Sequence, residues 1–256
     1  MYGVEINPTA IERVDDLLDK TWLIDLNKHD AWLEEEYEGF FNYILAPMSM
    51  EHTYDPWYVL KKFSKYLAPG GKLVVQTPNV QCWETIYRLL SGDFPYVSGG
   101  TWDYSHIRWY TLKSWIDIGF VAGFNVISML PQIAGNPDLS HLEKRKEIKT
   151  LRLPPPETKS NYQPIDIVMP VDIKPIYNLF LAHAFVLLLE KDRDPEDYDP
   201  TPAGGYLESY RLNTPNFLAD IAALAAHPIV PSSFSTVRKK AVTVAETLKM
   251  KAGKKE

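Results

Sequence analysis

The chain has 256 residues, 45% of them hydrophobic and 23% charged, and a formal net charge of −6. That length accommodates one large α/β domain with an appendage, or two small domains, and the acidic balance excludes a general electrostatic pull toward nucleic acid. A single cysteine excludes an internal disulfide and a cysteine-rich zinc site, which fits a reducing cytoplasm.

No basic-then-apolar leader opens the sequence, so no secretory signal is expected. The first element is an apolar, β-prone YGVEI (2–6), followed by Asn7 as helix N-cap and Pro8 at the first helical position. Ala10, Ile11, Val14, Leu17 and Leu18 recur at helical spacing, which predicts a helix over 8–19 with one buried face. TWLIDL (21–26) reads as a short strand with an acid near its end, and a buried strand is expected at about 40–46, running into the polar turn MSMEH. Asp55 caps a helix that Pro69 and the glycine pair 70–71 stop, and KLVVQTPN (72–79) is the clearest core strand.

Residues 81–91 form a further predicted helix, and 92–111 an aromatic loop. Helix 112–124 ends on the glycine before Phe124, and a strand follows at 125–130. The proline-rich stretch 131–175 is loop or insertion. The longest apolar run, LFLAHAFVLLLE (179–190), is too short to span a bilayer; the last strand is expected at 182–192. RDPEDYDPTPAGG (193–205) reads as a linker, followed by helical segments at about 215–226 and 235–250 and a basic end. The alternation of strands and helices through residue 124 argues for a parallel sheet with helices on both faces. The final two strands lack a crossover helix, so an antiparallel pair at one edge is expected.

Several side chains carry chemistry whatever the family. Glu5 closes a strand ahead of a helix, where an acid either accepts hydrogen bonds from a ligand's hydroxyls or caps the helix. His52 titrates near neutrality and either takes a proton or holds its turn through a backbone hydrogen bond. His106 and Arg108 stand among Trp102, Asp103, Tyr104, Trp109 and Tyr110. Such a set either packs on a sugar ring and pairs with its phosphate or carboxylate, or roofs the core. Cys82 reads as a packed helix residue and His183 as a core histidine. His29, His141 and His227 lack metal-ligand spacing, and no metal site is expected.

Four stretches in this order, YGVEINPTA, FNYILAPMSMEHTYDPWYVLKKFSKYLAPGGKLVVQTPN, WDYSHIRWYT and LKSWIDIGFVAGFNVI, resemble the class I, Rossmann-like S-adenosylmethionine-dependent methyltransferases, in particular the branch found with surface-polysaccharide genes. The resemblance covers residues 1–130, with the strand at 182–192 extending it. It implies an α/β fold: an incomplete doubly wound, mostly parallel sheet with an antiparallel edge strand and a C-terminal helical extension. It also implies three segments: a methyltransferase-like domain over 1–192, a linker over 193–213 and a helical extension over 214–256. S-adenosylmethionine is the implied cofactor, with Glu5 and Ile6 at the ribose, Asp25 and Leu26 at the adenine, and Met48 beside them. His106 and His52 are the implied proton acceptors, and Trp102, Tyr104, Arg108 and Trp109 the acceptor site.

The family's first strand and glycine-rich turn are absent from this sequence. Their loss parts two neighbouring strands, and three remedies are expected: direct pairing of those strands, a strand lent by a second copy or another chain, or a start upstream of Met1. The implied activity is O-methylation of a sugar or glycan precursor. The alternative is a non-catalytic degenerate domain that serves binding or assembly. A glycosyltransferase-like nucleotide-sugar binder is the weakest reading, because no D-x-D pair is present.

Overall fold

The computed structural model describes residues 1–29, 32–133, 145–155, 163–169 and 172–195. The linker beyond residue 195 and the two C-terminal helical segments lie outside the described residues.

Strand β1 (Tyr2–Glu5) runs into helix α1 (Pro8–Val14), where the Asn7 side chain accepts from the Thr9 amide at 3.0 Å and Pro8 occupies the first turn. The helix is shorter than its periodicity predicts. A 3-10 turn (Asp15–Leu17) takes over, and no α1 residue is fully buried. Strand β2 (Lys20–Leu23) then pairs with β1 in parallel, and the two form a sheet of their own.

The main sheet has four strands in the order β3-β4-β8-β5: β3 (Phe41–Pro47), β4 (Leu67–Pro78), β5 (Phe124–Ile133) and β8 (Ala182–Lys191). β3 and β4 are parallel, joined by helix α2 (Pro56–Tyr66), which Asp55 caps by accepting from the Tyr58 amide at 2.9 Å. β8 is antiparallel to both of its neighbours. The expected antiparallel pair therefore exists, but the odd strand is second from the edge, and β5 is the edge. The physical reason lies in β8's composition. Phe185, Leu187, Leu188 and Leu189 are all buried, so this strand needs cover on both sides, whereas β5 leaves Asn125 and Ile127 to solvent.

The stretch expected to be loop or insertion holds a hairpin, β6 (Thr150–Leu153) with β7 (Ile165–Val168), and a short helix α5 (Tyr177–Leu181). Leu151, Leu153 and Leu179 join the main core. Buried Asn79, just past β4, donates to the carbonyls of Leu179 (2.7 Å) and Ala182 (2.8 Å), so its polar group is satisfied where the sheet meets α5. Helices α3 (Trp83–Leu90) and α4 (Leu112–Val121) complete the layers. Gly123, with φ +85°, supplies the left-handed residue after α4, and a Cβ there would meet the Arg193 carbonyl at 2.5 Å.

The two sheets do not form one ladder. Among the described residues β1 pairs only with β2 and β3 only with β4, and the parted strands are not paired directly with each other. An aromatic cluster spans their amino ends, with the Tyr2 ring 5.5 Å from that of Phe41 and 5.9 Å from that of Trp22. At the carboxyl ends Asn27 donates to the His52 carbonyl (3.1 Å) and accepts from the Tyr54 amide (2.6 Å). Between these two ties, Val4 (43% exposed) and Leu45 (48%) stay in solvent, unlike β8 and β4 from Gly71 onward, none of whose residues is exposed.

Candidate active site

Ligands of an open α/β sheet bind beyond the carboxyl ends of its strands, and the turn after β3 lies at such an end. Met48 holds φ +46°, costly for a residue with a side chain, and its amide donates to the Gln76 carbonyl at 2.8 Å. The bend leads into a single 3-10 turn, Met50–His52.

The aromatic loop comes down on this turn and is stitched to it by the backbone. The Glu51 carbonyl accepts from the amides of Ile107 (2.9 Å) and Arg108 (3.1 Å). The buried Tyr110 hydroxyl donates to the Met50 carbonyl at 3.0 Å, and an Arg108 guanidinium nitrogen donates to the Tyr54 carbonyl. The Asp103 carboxylate accepts from the Ser105 amide (2.8 Å) and hydroxyl, which sets the conformation of 103–105.

The result is a cluster of three titratable side chains. His52 and His106 meet edge to face, ring centroids 4.8 Å apart, and His106 Nε2 lies 4.0 Å from Glu51 Oε1. His52 Nδ1 is 3.2 Å from the Ser105 carbonyl, and His106 Nδ1 is 3.2 Å from the Thr101 carbonyl. A carbonyl oxygen only accepts, so each Nδ1 carries a hydrogen, and in the neutral ring the lone pair is on Nε2. His106 is buried and His52 half-buried. Glu51 is 1% exposed, and neither of its carboxylate oxygens has a hydrogen-bond partner among the described residues. Burial pushes the Glu51 carboxyl above the usual carboxylate range, opposed in part by its own backbone amide and by His52. Burial likewise pushes the His106 imidazole below its ordinary value.

The structure brings together His52, His106 and Arg108 and spreads the other candidates. Glu5 and Ile6 stand at the carboxyl end of β1, Asp25 and Leu26 follow β2, and Met48 follows β3. Glu5 Oε1 accepts from the amides of Ile6 (2.8 Å) and Asn7 (2.9 Å), so one oxygen serves the turn into α1 and the other has no hydrogen bond among the described residues. Asp25 Oδ1 is used in the same local way, by the Asn27 amide at 3.0 Å. Trp102 lies under the Arg88 guanidinium, 4.8 Å from its ring centroid, and Trp109 packs edge-on to Phe94 at 5.4 Å. Both indoles therefore roof the fold, while Tyr104 is open to solvent. Cys82 is buried, and burial raises its thiol pKa, as expected of a packed residue. His183 Nδ1 stands 3.8 Å from Glu84.

Sequence reasoning missed the isolation of the Glu51 carboxylate and the two anchoring carbonyls of Thr101 and Ser105. Burial has no signature at a single acidic residue, and no side-chain pattern reports which backbone carbonyl a distant ring will meet.

One pH dependence follows from the loop. Hydrogen bonds from Ser105 hold the Asp103 carboxyl below its ordinary value. A depressed folded value contributes stability that is present above the unfolded value, about 3.9, and lost as pH falls through the folded one. Asp103→Asn is thus expected to flatten the acid side of the stability curve, read as urea midpoints at pH 5 down to about 3. A curve parallel to that of the unaltered chain would count against the Asp103–Ser105 turn.

A family model described as a methyltransferase domain matches residues 1–129. No curated protein matches the chain. Among solved structures, the chain is similar to a SAM-dependent methyltransferase from Thermotoga maritima, with 13% identity, a TM-score of 0.44, and 75% of this chain and 72% of that one covered. It is similar also to a SAM-dependent methyltransferase from Archaeoglobus fulgidus (13% identity, TM-score 0.42, 74% and 75% covered). A third is an S-adenosylmethionine-dependent methyltransferase from Mesorhizobium loti (12% identity, TM-score 0.41, 74% and 79% covered).

Proposed function

Because the chain belongs to the methyltransferase-domain family, whose cofactor is S-adenosylmethionine, we propose that it methylates a hydroxyl of a sugar or glycan precursor in cytoplasmic polysaccharide biosynthesis. The observation that carries this reading is the convergence of His52 and His106 at the carboxyl edge of the sheet, each with its Nε2 lone pair free of its backbone anchor.

The residues present fit the adenosine end of the cofactor. Glu5 and Asp25 each keep one carboxylate oxygen without a hydrogen bond among the described residues, at adjacent strand ends. Glu5 and Ile6 would hold the ribose, with Asp25, Leu26 and Met48 around the base. At the amino-acid end, the positive-φ glycines among the described residues are Gly39, Gly70, Gly92, Gly100 and Gly123, and none of these stands between a strand and the helix after it to form a backbone cradle. Bound S-adenosylmethionine supplies an electrophilic methyl group. The chain's own part is to hold the acceptor and take its proton. His106 Nε2, kept neutral by burial, accepts the hydroxyl proton, and His52 shares the site. Tyr104 and the parts of Arg108, Trp102 and Trp109 that reach solvent offer a sugar its apolar and polar contacts.

Calorimetry with S-adenosylmethionine tests the reading. Binding is expected, weakened about tenfold or more by Glu5→Ala, the worth of a charge-assisted hydrogen bond of about 1.5–3 kcal/mol. No heat at millimolar ligand would overturn it.

The open edges of β1 and β3 favour a second reading, in which a strand from a second copy or a partner chain fills the gap and the domain serves assembly. Light scattering separates the two. A monomer that binds the cofactor and methylates unaided ends the second.

A further inference from the structure

The geometry points to a divalent-cation site, of the zinc class, made by the Glu51 carboxylate, His52 and His106 at the turn after β3. One donor atom from each of the three lies within 4.8 Å of the others. A tetrahedral ion with bonds of about 2.0–2.1 Å keeps its ligands about 3.4 Å apart, so side-chain shifts of roughly an ångström complete the set.

Three independent features say that these residues are arranged for an ion. The first is the carboxylate. Glu51 is 1% exposed with both oxygens lacking a hydrogen bond among the described residues, and a buried carboxyl group must be protonated, paired or bound to a metal. The nearest cationic candidate, His106, stands 4.0 Å away, too far for a hydrogen bond.

The second is the state of the rings. Both imidazoles donate from Nδ1 to backbone carbonyls, of Ser105 and Thr101. That arrangement fixes the tautomer and turns the Nε2 lone pair outward, as the supporting shell of metal-bound histidines does.

The third is the backbone around the ligands. Glu51 and His52 sit on one 3-10 turn; His106 is held to it by the hydrogen bonds from Ile107 and Arg108 to the Glu51 carbonyl, and Asn27 braces its other side by donating to the His52 carbonyl. The ligands thus sit on a hydrogen-bonded frame, as a site needs.

Two imidazoles and one carboxylate leave a fourth position for water or an acceptor hydroxyl, the open form of a zinc site. On the proposed function, His106 Nε2 in the ion-bound chain would be a ligand and not the proton acceptor, and a hydroxyl in the fourth position would give its proton to solvent water, because the cation favours the alkoxide. That role rests on the methyltransferase reading; the site itself does not.

The test uses the full untagged chain, stripped with chelator and dialysed against zinc alone, with no cofactor or acceptor present. One equivalent per chain is expected, and cobalt in place of zinc is expected to give visible d–d absorption. Glu51→Gln and His52→Ala, the latter at a half-buried position where folding is least at risk, are each expected to lower zinc affinity tenfold or more. Circular dichroism confirms that both are folded. His29→Ala, at a histidine stacked on Tyr58 away from the cluster, is expected to bind zinc like the unaltered chain. No zinc on the unaltered chain, or full retention by folded Glu51→Gln and His52→Ala, overturns the site. Calorimetry with S-adenosylmethionine on the same preparations reports the methyltransferase reading separately, so either can fail without the other.

Discussion

Trp115→Ala is expected to cost about 3–5 kcal/mol, the usual range for emptying a large buried aromatic position. Domains of this kind hold a margin of about 5–15 kcal/mol, so much of it would go. Trp115 lies on α4 with no exposed surface, and its ring centroid is 4.9 Å from that of Tyr110. Its indole N–H has no hydrogen-bond partner among the described residues, so the loss is of packing alone. The damage does not stop at the core. Tyr110 leans on this ring and donates to the Met50 carbonyl, so the cavity undercuts the turn that carries Glu51 and His52. Urea unfolding measures the effect as a lower midpoint at unchanged slope. A loss under about 1 kcal/mol would show that α4 does not support the loop as described.

The second large effect concerns chemistry. His106→Ala is expected to lower turnover about a hundredfold or more, the typical contribution of a positioned proton acceptor, while the far-ultraviolet circular dichroism stays unchanged. The measurement is release of S-adenosylhomocysteine with a panel of hydroxylated sugars as acceptors. KM is expected to change little, because the ring is buried and acts on the reacting hydroxyl rather than on the sugar's remote groups. Turnover within about threefold of the unaltered chain would reduce His106 to a ring that braces Thr101 against the turn.

Much of the secondary structure was legible in the sequence because its signals are local. Asn7 and Asp55 cap their helices through their own side chains, and Gly123 adopts the conformation that ends α4. The strands at 41–47 and 182–191 lie within two residues of their expected bounds. β4 was misjudged at its start. Ala68, Pro69, Gly70 and Gly71 read as a helix stop, whereas they already run in the strand, because β3 offers Leu67 a partner at Phe41 across a shifted register. α1 failed for the complementary reason. Its apolar stripe is present in the sequence, but only half-buried cover meets it, since among the described residues no strand joins β1 to β3.

By itself, then, the sequence determined where the strands and helices lie, which side chains cap them, and which histidines and aromatics share the loop 102–110. These depend on contacts a few residues long. The tertiary structure alone decided that β8 enters between β4 and β5, that the β1–β2 pair stands apart from the main sheet where one sheet was expected, and that Glu51 is sealed from water beside two imidazoles. Those outcomes depend on which distant surfaces meet. Burial energy is shared by both partners of a contact, so it is written in neither one's local sequence.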